Sequence, residues 1–323
     1  MKAIMYHYVR PVPEGLDYFR YLHIDQFERQ LKWFAGQYGF VEREEFLDAV
    51  RSGIARDGVV LTFDDGLADH YAWVLPVLEK HGLWGIFYVP TGPYRTQKLL
   101  DVHQIHLILG RLGGVRAAQA LSGMVRQKML THAHVTEFRQ ETYRWQDNDD
   151  ATNYFKRTLN YYIASEHRAA LLAKLMQEAF PTGAHPSHQF YVSAAELRSM
   201  GERGMLIGSH SVTHPVFSKL SEAEQESEIR DSFDQLEKMT GDRITTFCYP
   251  YGGFHSFTGK TECLLDQIGC LWAFNVEPRD ISSDDLRLRP QALPRYDCNV
   301  FPFGQASCGS RLGGAPEPET APG

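Results

Sequence analysis

The chain is short of cysteine, of long apolar runs and of positive charge, and each shortage excludes a class of protein. Its five cysteines, Cys248, Cys263, Cys270, Cys298 and Cys308, are scattered and include no C-x-x-C pair. A zinc–thiolate centre is thereby disfavoured. An odd set without an export signal points to a reducing compartment rather than a disulfide framework. No window approaches the roughly 18 unbroken apolar residues of a membrane span. The opening "MKAIMYHYVRP" has too short an apolar run, and no small-residue cleavage site, for a signal peptide. It reads as the first strand, and the protein as cytoplasmic. The net charge of −7 argues against nucleic acid or an anionic membrane surface as partner and leaves the fold open.

What remains is an ordinary globular composition, with 323 residues, 43% hydrophobic and 23% charged, enough for one large core or two ordinary ones. Short apolar stretches alternate with helical patterns. Strands are expected at "KAIMYHYV", "GVVLTFDDG", 84–90, 205–210, 245–250, 271–276 and about 290–296. Helices are expected at "HIDQFERQLKWFAGQYG", closed by Gly39, and at 68–81. A third runs from N-cap Ser221, with Glu224 as its capping-box partner, to Gly241. Repeated β-α units mean parallel strands with helical crossovers. About seven of them favour an α/β fold of the distorted (β/α) barrel type, with an open doubly wound sheet as the alternative. Residues 97–190 break this rhythm with helical periodicity and no strand, and read as a helical insertion in a barrel spanning 1–303. Residues 304–323, rich in Gly, Pro and small side chains, read as a disordered tail.

The strand "GVVLTF" ends on Asp64 and Asp65, followed by Gly66. Asp and Gly commonly make turns, but two like charges side by side cost free energy unless a cation or a shared proton relieves them. Downstream, "IGSHSVTHP" carries His210 and His214 one turn apart, again just after a strand. In a β/α barrel all strand C-termini meet on one face. Asp65, His210 and His214 then form a His₂–carboxylate set with an open coordination position, the layout of a catalytic metal site. Asp64 stays free as a base.

These motifs carry a resemblance. "TFDDG" and "SHSVTHP" resemble the first two motifs of the polysaccharide deacetylases, the carbohydrate esterases of family four that share the chitooligosaccharide-deacetylase domain. The resemblance implies Asp64 as catalytic base and Asp65, His210 and His214 as ligands of Zn²⁺ or another divalent ion. "FCYPYGGF" resembles the third motif, which implies that Pro250 and Tyr251 lie against the substrate and that the Tyr251 N–H binds the oxyanion. "MYHYV" resembles the family's first strand and sets His7 at the mouth. The chain also departs from the pattern. Cys248 stands where the third motif usually begins with Arg, the Asp-x-x-Asp-Trp motif is missing, and no histidine follows His255 to serve as the usual acid. Arg295, in "LPRYD", is a candidate to hold Asp64. His103, with His106 beside it on an apolar helix, is the candidate proton donor, and His255 follows as a further candidate at the substrate. The expected reaction is metal-dependent removal of an N-acyl group, most simply acetate, from an amino sugar. A sugar nucleotide or lipid-linked precursor of surface polysaccharide is the expected substrate. An inactive sugar- or partner-binding descendant of the same fold, or a hydrolase of another amide, is the alternative.

Overall fold

The computed structural model describes residues 1–131, 142–143, 148–183 and 190–309. Seven strands form its main sheet: β1 Lys2–Tyr6, β2 Val59–Phe63, β3 Ile86–Val89, β4 Leu206–Ser209, β5 Thr246–Cys248, β6 Trp272–Phe274 and β7 Tyr296–Asp297. They lie in the order β6-β5-β4-β3-β2-β1-β7, every pairing parallel. Strand β2, Val-Val-Leu-Thr-Phe, is buried throughout, as expected of a parallel strand covered on both faces. Leu293, just before β7, bridges to Phe274 of β6, while Tyr296 and Asp297 pair with Ile4 and Met5 of β1. The two edges of the sheet therefore meet through residues 293–297, and the distorted barrel, not the open sheet, is the architecture.

Helices cover the outside. Glu222–Thr240 starts at the Ser221–Glu224 capping box and ends at Gly241 in the left-handed region, as its sequence signals require. The expected helix at 68–81 is interrupted instead: a π-helical turn, His70–Val74, runs into Leu75–Lys80. "KAIMYHYV" is also not one strand. β1 stops at Tyr6, and Val9–Arg10 pairs with Arg20–His23 in a separate three-stranded sheet. The third strand of that sheet, Ser307–Cys308, pairs antiparallel with Arg20 and Tyr21. The start of the expected disordered tail is thus ordered by a strand edge that accepts it, and residues 310–323 lie outside the described residues.

Between β3 and β4 the described residues form helices Asp101–Met124, Asp150–Arg157 and Ser165–Ala179, with a π-helical turn at Thr158–Tyr162. Ile105, Ile108, Leu112, Phe155, Leu159, Leu172 and Leu175 pack there into a cluster of their own. Tyr8, Phe19 and Tyr21 of the N-terminal loop join the same cluster, so the inserted segment is seated on the loops after β1.

Candidate active site

The register of β1 on β2 sets Tyr6 beside Phe63, so the next residues, His7 and Asp64, leave adjacent strand ends. Asp64 N–H donates to Tyr6 O at 2.9 Å. The chain then turns sharply. Asp65 takes a left-handed φ of 79° and Gly66 one of 57°. A side chain at Gly66 would also meet Val89 Cγ1 at 3.0 Å, which is why glycine follows the two aspartates. His214 (φ 59°) and Tyr251 (φ 66°) are left-handed as well. Such backbone costs about 1–3 kcal/mol per non-glycine residue and persists where surrounding contacts enforce it.

Those contacts are specific. The loop carrying both histidines is pinned by Glu228 of helix Glu222–Thr240. Its Oε2 accepts from the N–H groups of Val212 and Thr213, both at 2.8 Å, and its Oε1 accepts from the Thr213 hydroxyl at 2.6 Å. Ser211 Oγ accepts from His214 N–H at 3.1 Å. His210 Nδ1 lies 2.7 Å from Cys248 O, which fixes that ring and turns its Nε2 inward.

Asp64 and Arg295 form a buried fork-to-fork pair. Arg295 Nη1 donates to Oδ1 and Nη2 to Oδ2, each at 2.8 Å. The guanidinium also reaches Thr62 Oγ1 at 3.0 Å, Asn275 O at 3.2 Å and Cys248 Sγ at 2.9 Å. Burial alone would raise the Asp64 pKa, but the Arg295 charge and hydrogen bonds outweigh it and hold the group at about 2. The charge comes from Arg295 of the segment before β7, with the thiol of Cys248 beside it. The sulfur lies 3.4 Å from Asp64 Oδ2 and fills the space between the pair and β5.

Asp65 faces the two histidines. Its Oδ1 lies 3.5 Å from His210 Nε2 and 3.4 Å from His214 Nε2, and this buried oxygen has no hydrogen-bond partner among the described residues. Ligand atoms at about 2.0–2.1 Å from a tetrahedral zinc stand about 3.3 Å apart. The spacing and the orphaned oxygen both fit a divalent cation held by Asp65, His210 and His214, whose ligand atoms lie within 4.8 Å of one another. Burial lowers the His214 pKa to about 4 against the pull of Asp65, so the ring is in the neutral form that ligates.

His103 is not at the mouth. Its side chain is wholly buried, Nδ1 lies 2.6 Å from Tyr191 Oη, and Nε2 lies 3.1 Å from Asp65 Oδ2. Helix Asp101–Met124 enters with this face against the strand ends, which sets His103 against Asp65. His106 lies behind it, its Nδ1 3.0 Å from the Tyr8 hydroxyl. His7, by contrast, is half-buried, close enough for its charge to act on Asp64, and its carbonyl is held by His70 Nε2 at 3.0 Å. Pro250 is buried at the end of β5. Tyr251 stacks edge-on against His214 with ring centroids 4.9 Å apart, and its hydroxyl donates to Asn160 Oδ1 of the inserted segment at 3.2 Å. Its N–H donates to no backbone carbonyl of the described residues. His255 lies beside Tyr161, 6.3 Å between centroids. Glu228, Tyr191 and His70 escape a reading of the sequence, because nothing local marks a helix glutamate or a loop tyrosine as a support for a distant ligand.

Known proteins share part of this sequence and its fold. Residues 163–262 match the model of the polysaccharide deacetylase family. Over 81 residues the chain is 35% identical to peptidoglycan-N-acetylmuramic acid deacetylase PdaC of Bacillus subtilis, covering 25% of this chain and 16% of PdaC. Over 105 residues it is 26% identical to YxkH of the same organism, covering 32% of this chain and 37% of YxkH. The matched stretches thus span well under half of either relative. Solved structures match along almost the whole chain. The Streptococcus pyogenes deacetylase PplD superposes with a TM-score of 0.56 at 17% identity, covering 92% of this chain and 91% of that one. IcaB of Ammonifex degensii superposes at 0.52 and 17%, covering 92% and 90%. Matched sequence, curated relatives and fold all point one way: residues 163–262 are similar to the polysaccharide deacetylase family, and the chain shares the fold of solved deacetylases.

Proposed function

We propose that this protein is a metal-dependent hydrolase that removes an N-acyl group, most simply acetate, from an amino sugar. The observation that carries the proposal is the division of labour between adjacent carboxylates: Asp64 is locked to Arg295, while Asp65 offers an unpartnered oxygen to two histidines. Asp65, His210 and His214 would hold Zn²⁺ or another divalent ion, which when bound supplies Lewis acidity at the amide carbonyl and makes water more acidic. Asp64 takes the proton of the attacking water. The Arg295 clamp keeps it anionic and aimed, gaining orientation at the expense of base strength. The Tyr251 N–H donates to the oxyanion as it forms. The departing amine needs a proton, and His7, half-buried and beside Asp64, suits that role better than His103, which faces Asp65. Pro250 and His255 would line the sugar subsite.

PdaC, by its name, deacetylates an amino sugar of peptidoglycan. For this chain we propose a short amino-sugar substrate, such as a sugar nucleotide or a lipid-linked precursor of surface polysaccharide. Support comes from the packing of the inserted segment on Tyr251, which narrows the approach to the site. Metal analysis of the purified protein, followed by acetate release from N-acetylated sugar nucleotides, N-acetylated oligosaccharides and peptidoglycan, tests the reading. Release should be fastest from the small substrates. Stoichiometric metal with no release from any N-acetylated amino sugar would overturn the reading in favour of a binding protein or a hydrolase of another amide.

A further inference from the structure

We infer that His103 and Tyr191 form a positioning pair that presents Asp65 to the metal, so that the inserted segment completes a centre whose ligands all sit on barrel strand ends. The inference rests on the metal-centre reading above and concerns residues that lie outside the ligand set.

The contacts around the pair favour one arrangement of its protons. Leu100 N–H donates to Tyr191 Oη at 3.0 Å, so that oxygen already acts as an acceptor. The hydroxyl proton of Tyr191 then has one acceptor among the described residues, His103 Nδ1 at 2.6 Å. In a neutral imidazole one nitrogen accepts and the other carries the proton, so this arrangement assigns the proton of His103 to Nε2. That N–H points toward Asp65 Oδ2 at 3.1 Å, angled rather than straight, and Nε2 has no better partner among the described residues. Such contacts are commonly loose before a site is loaded and tighten afterwards.

The consequence falls on the carboxylate. The terminal torsion of an aspartate is broad, and its two oxygens exchange places at little cost. A donor on Oδ2 removes that freedom and leaves Oδ1 turned toward His210 and His214. The donor is itself immobile, because His103 is wholly buried and packs against Phe190 with centroids 5.1 Å apart. The relay runs from Leu100 backbone through Tyr191 and His103 to Asp65. Three of its four members come from the segment at or bordering the insertion. Its loss would weaken metal binding without touching a ligand.

The test is metal affinity of the full chain, stripped with a chelator and titrated with Zn²⁺ against a chelating indicator, with Co²⁺ absorption reporting coordination. Circular dichroism and melting temperature of the metal-free protein check folding. His103→Leu should bind Zn²⁺ about 10–100-fold more weakly, the usual scale for outer-shell partners of a ligand. His103→Gln, which can return an N–H near the Nε2 position, should recover most of that loss. Tyr191→Phe, which frees the ring and removes the acceptor of Leu100 N–H, should weaken binding severalfold. A folded His103→Leu with wild-type affinity would overturn the inference, as would a His103→Gln no better than Leu. If His103→Leu does not fold, the other two variants decide. A wild-type protein that binds no Zn²⁺, or binds it as well with Asp65→Asn, sinks the metal-centre reading itself.

Discussion

Asp64 and Asp65 are neighbours in the chain and equally buried, at 2% exposure each, yet opposite parts of the molecule hold them. The Asp64 pocket belongs to the barrel: Arg295 before β7, Thr62 of β2 and Cys248 of β5 surround it. The Asp65 pocket is shared between the barrel loop that carries His210 and His214 and the inserted helix that carries His103. One carboxylate is fully paired. The other is left with an unpartnered oxygen. The difference teaches why the two can do different work although they share a strand end: a paired group stays anionic and still, while an under-satisfied one is ready for a cation. It also bears on two like charges at one turn: Arg295 offsets Asp64, and the proposed cation would offset Asp65.

The comparison can be broken most severely at Arg295. Removing one partner of a buried ion pair leaves an uncompensated charge and typically costs about 3–5 kcal/mol. Arg295→Met should therefore lower the urea midpoint of unfolding sharply, and turnover with it. A midpoint within error of wild type would show that Asp64 does not depend on this clamp.

The next largest effect separates the two carboxylates. Asp64→Asn should keep its metal and lose turnover by about 10²-fold or more, the scale of a positioned base. Asp65→Asn should lose metal and turnover together, and His214→Ala should lose metal with the fold intact. Metal analysis beside acetate release reads both, and an Asp64→Asn protein without metal would reverse the assigned roles. His7→Asn sharpens the same contrast, since it should slow hydrolysis of an amide by about 10–10³-fold and slow an activated aryl ester much less. Equal losses on both substrates would remove His7 as proton donor.

The smallest effect concerns acid. Asp64 has its pKa lowered from an ordinary 3.8 to about 2, burial being outweighed by Arg295. A carboxylate depressed on folding contributes stability that is fully present above its unfolded pKa and is lost as pH falls through the folded value. Stability measured by urea unfolding should therefore fall between about pH 4 and pH 2 by roughly 2 kcal/mol on account of this group. The fall should be shallower in Asp64→Asn, whatever that variant's stability at neutral pH.

Local chemistry decided much of this protein. Buried apolar runs specify the strands, the Ser221–Glu224 box and Gly241 bracket their helix, and the repeated β-α units make the strands parallel. Asp-Asp-Gly and His-x-x-x-His are legible as a site because parallel strands with one-handed crossovers bring all their C-terminal ends to one face. Helix caps such as the Ser221–Glu224 box depend on neighbours a few residues away, so sequence alone determines them, whereas the end of β1 at Tyr6 and the π-helical turn at His70–Val74 are not marked locally. The supports of the site are different in kind. Arg295 meets Asp64 across 231 residues, a meeting expected only from the resemblance and its missing arginine, and Tyr191 meets His103 across 88; no periodicity or spacing encodes either. An i, i+3 histidine pair on an apolar helix reads the same whether its face opens to the mouth or closes on a ligand. Only the packing of the inserted helix on the loop after β1 chose between them, and it turned His103 toward Asp65. Likewise the first residues of the tail look free in sequence until a strand edge at Arg20–Tyr21 offers them partners. Tertiary structure decided these points because each depends on which groups a distant segment brings within hydrogen-bond reach.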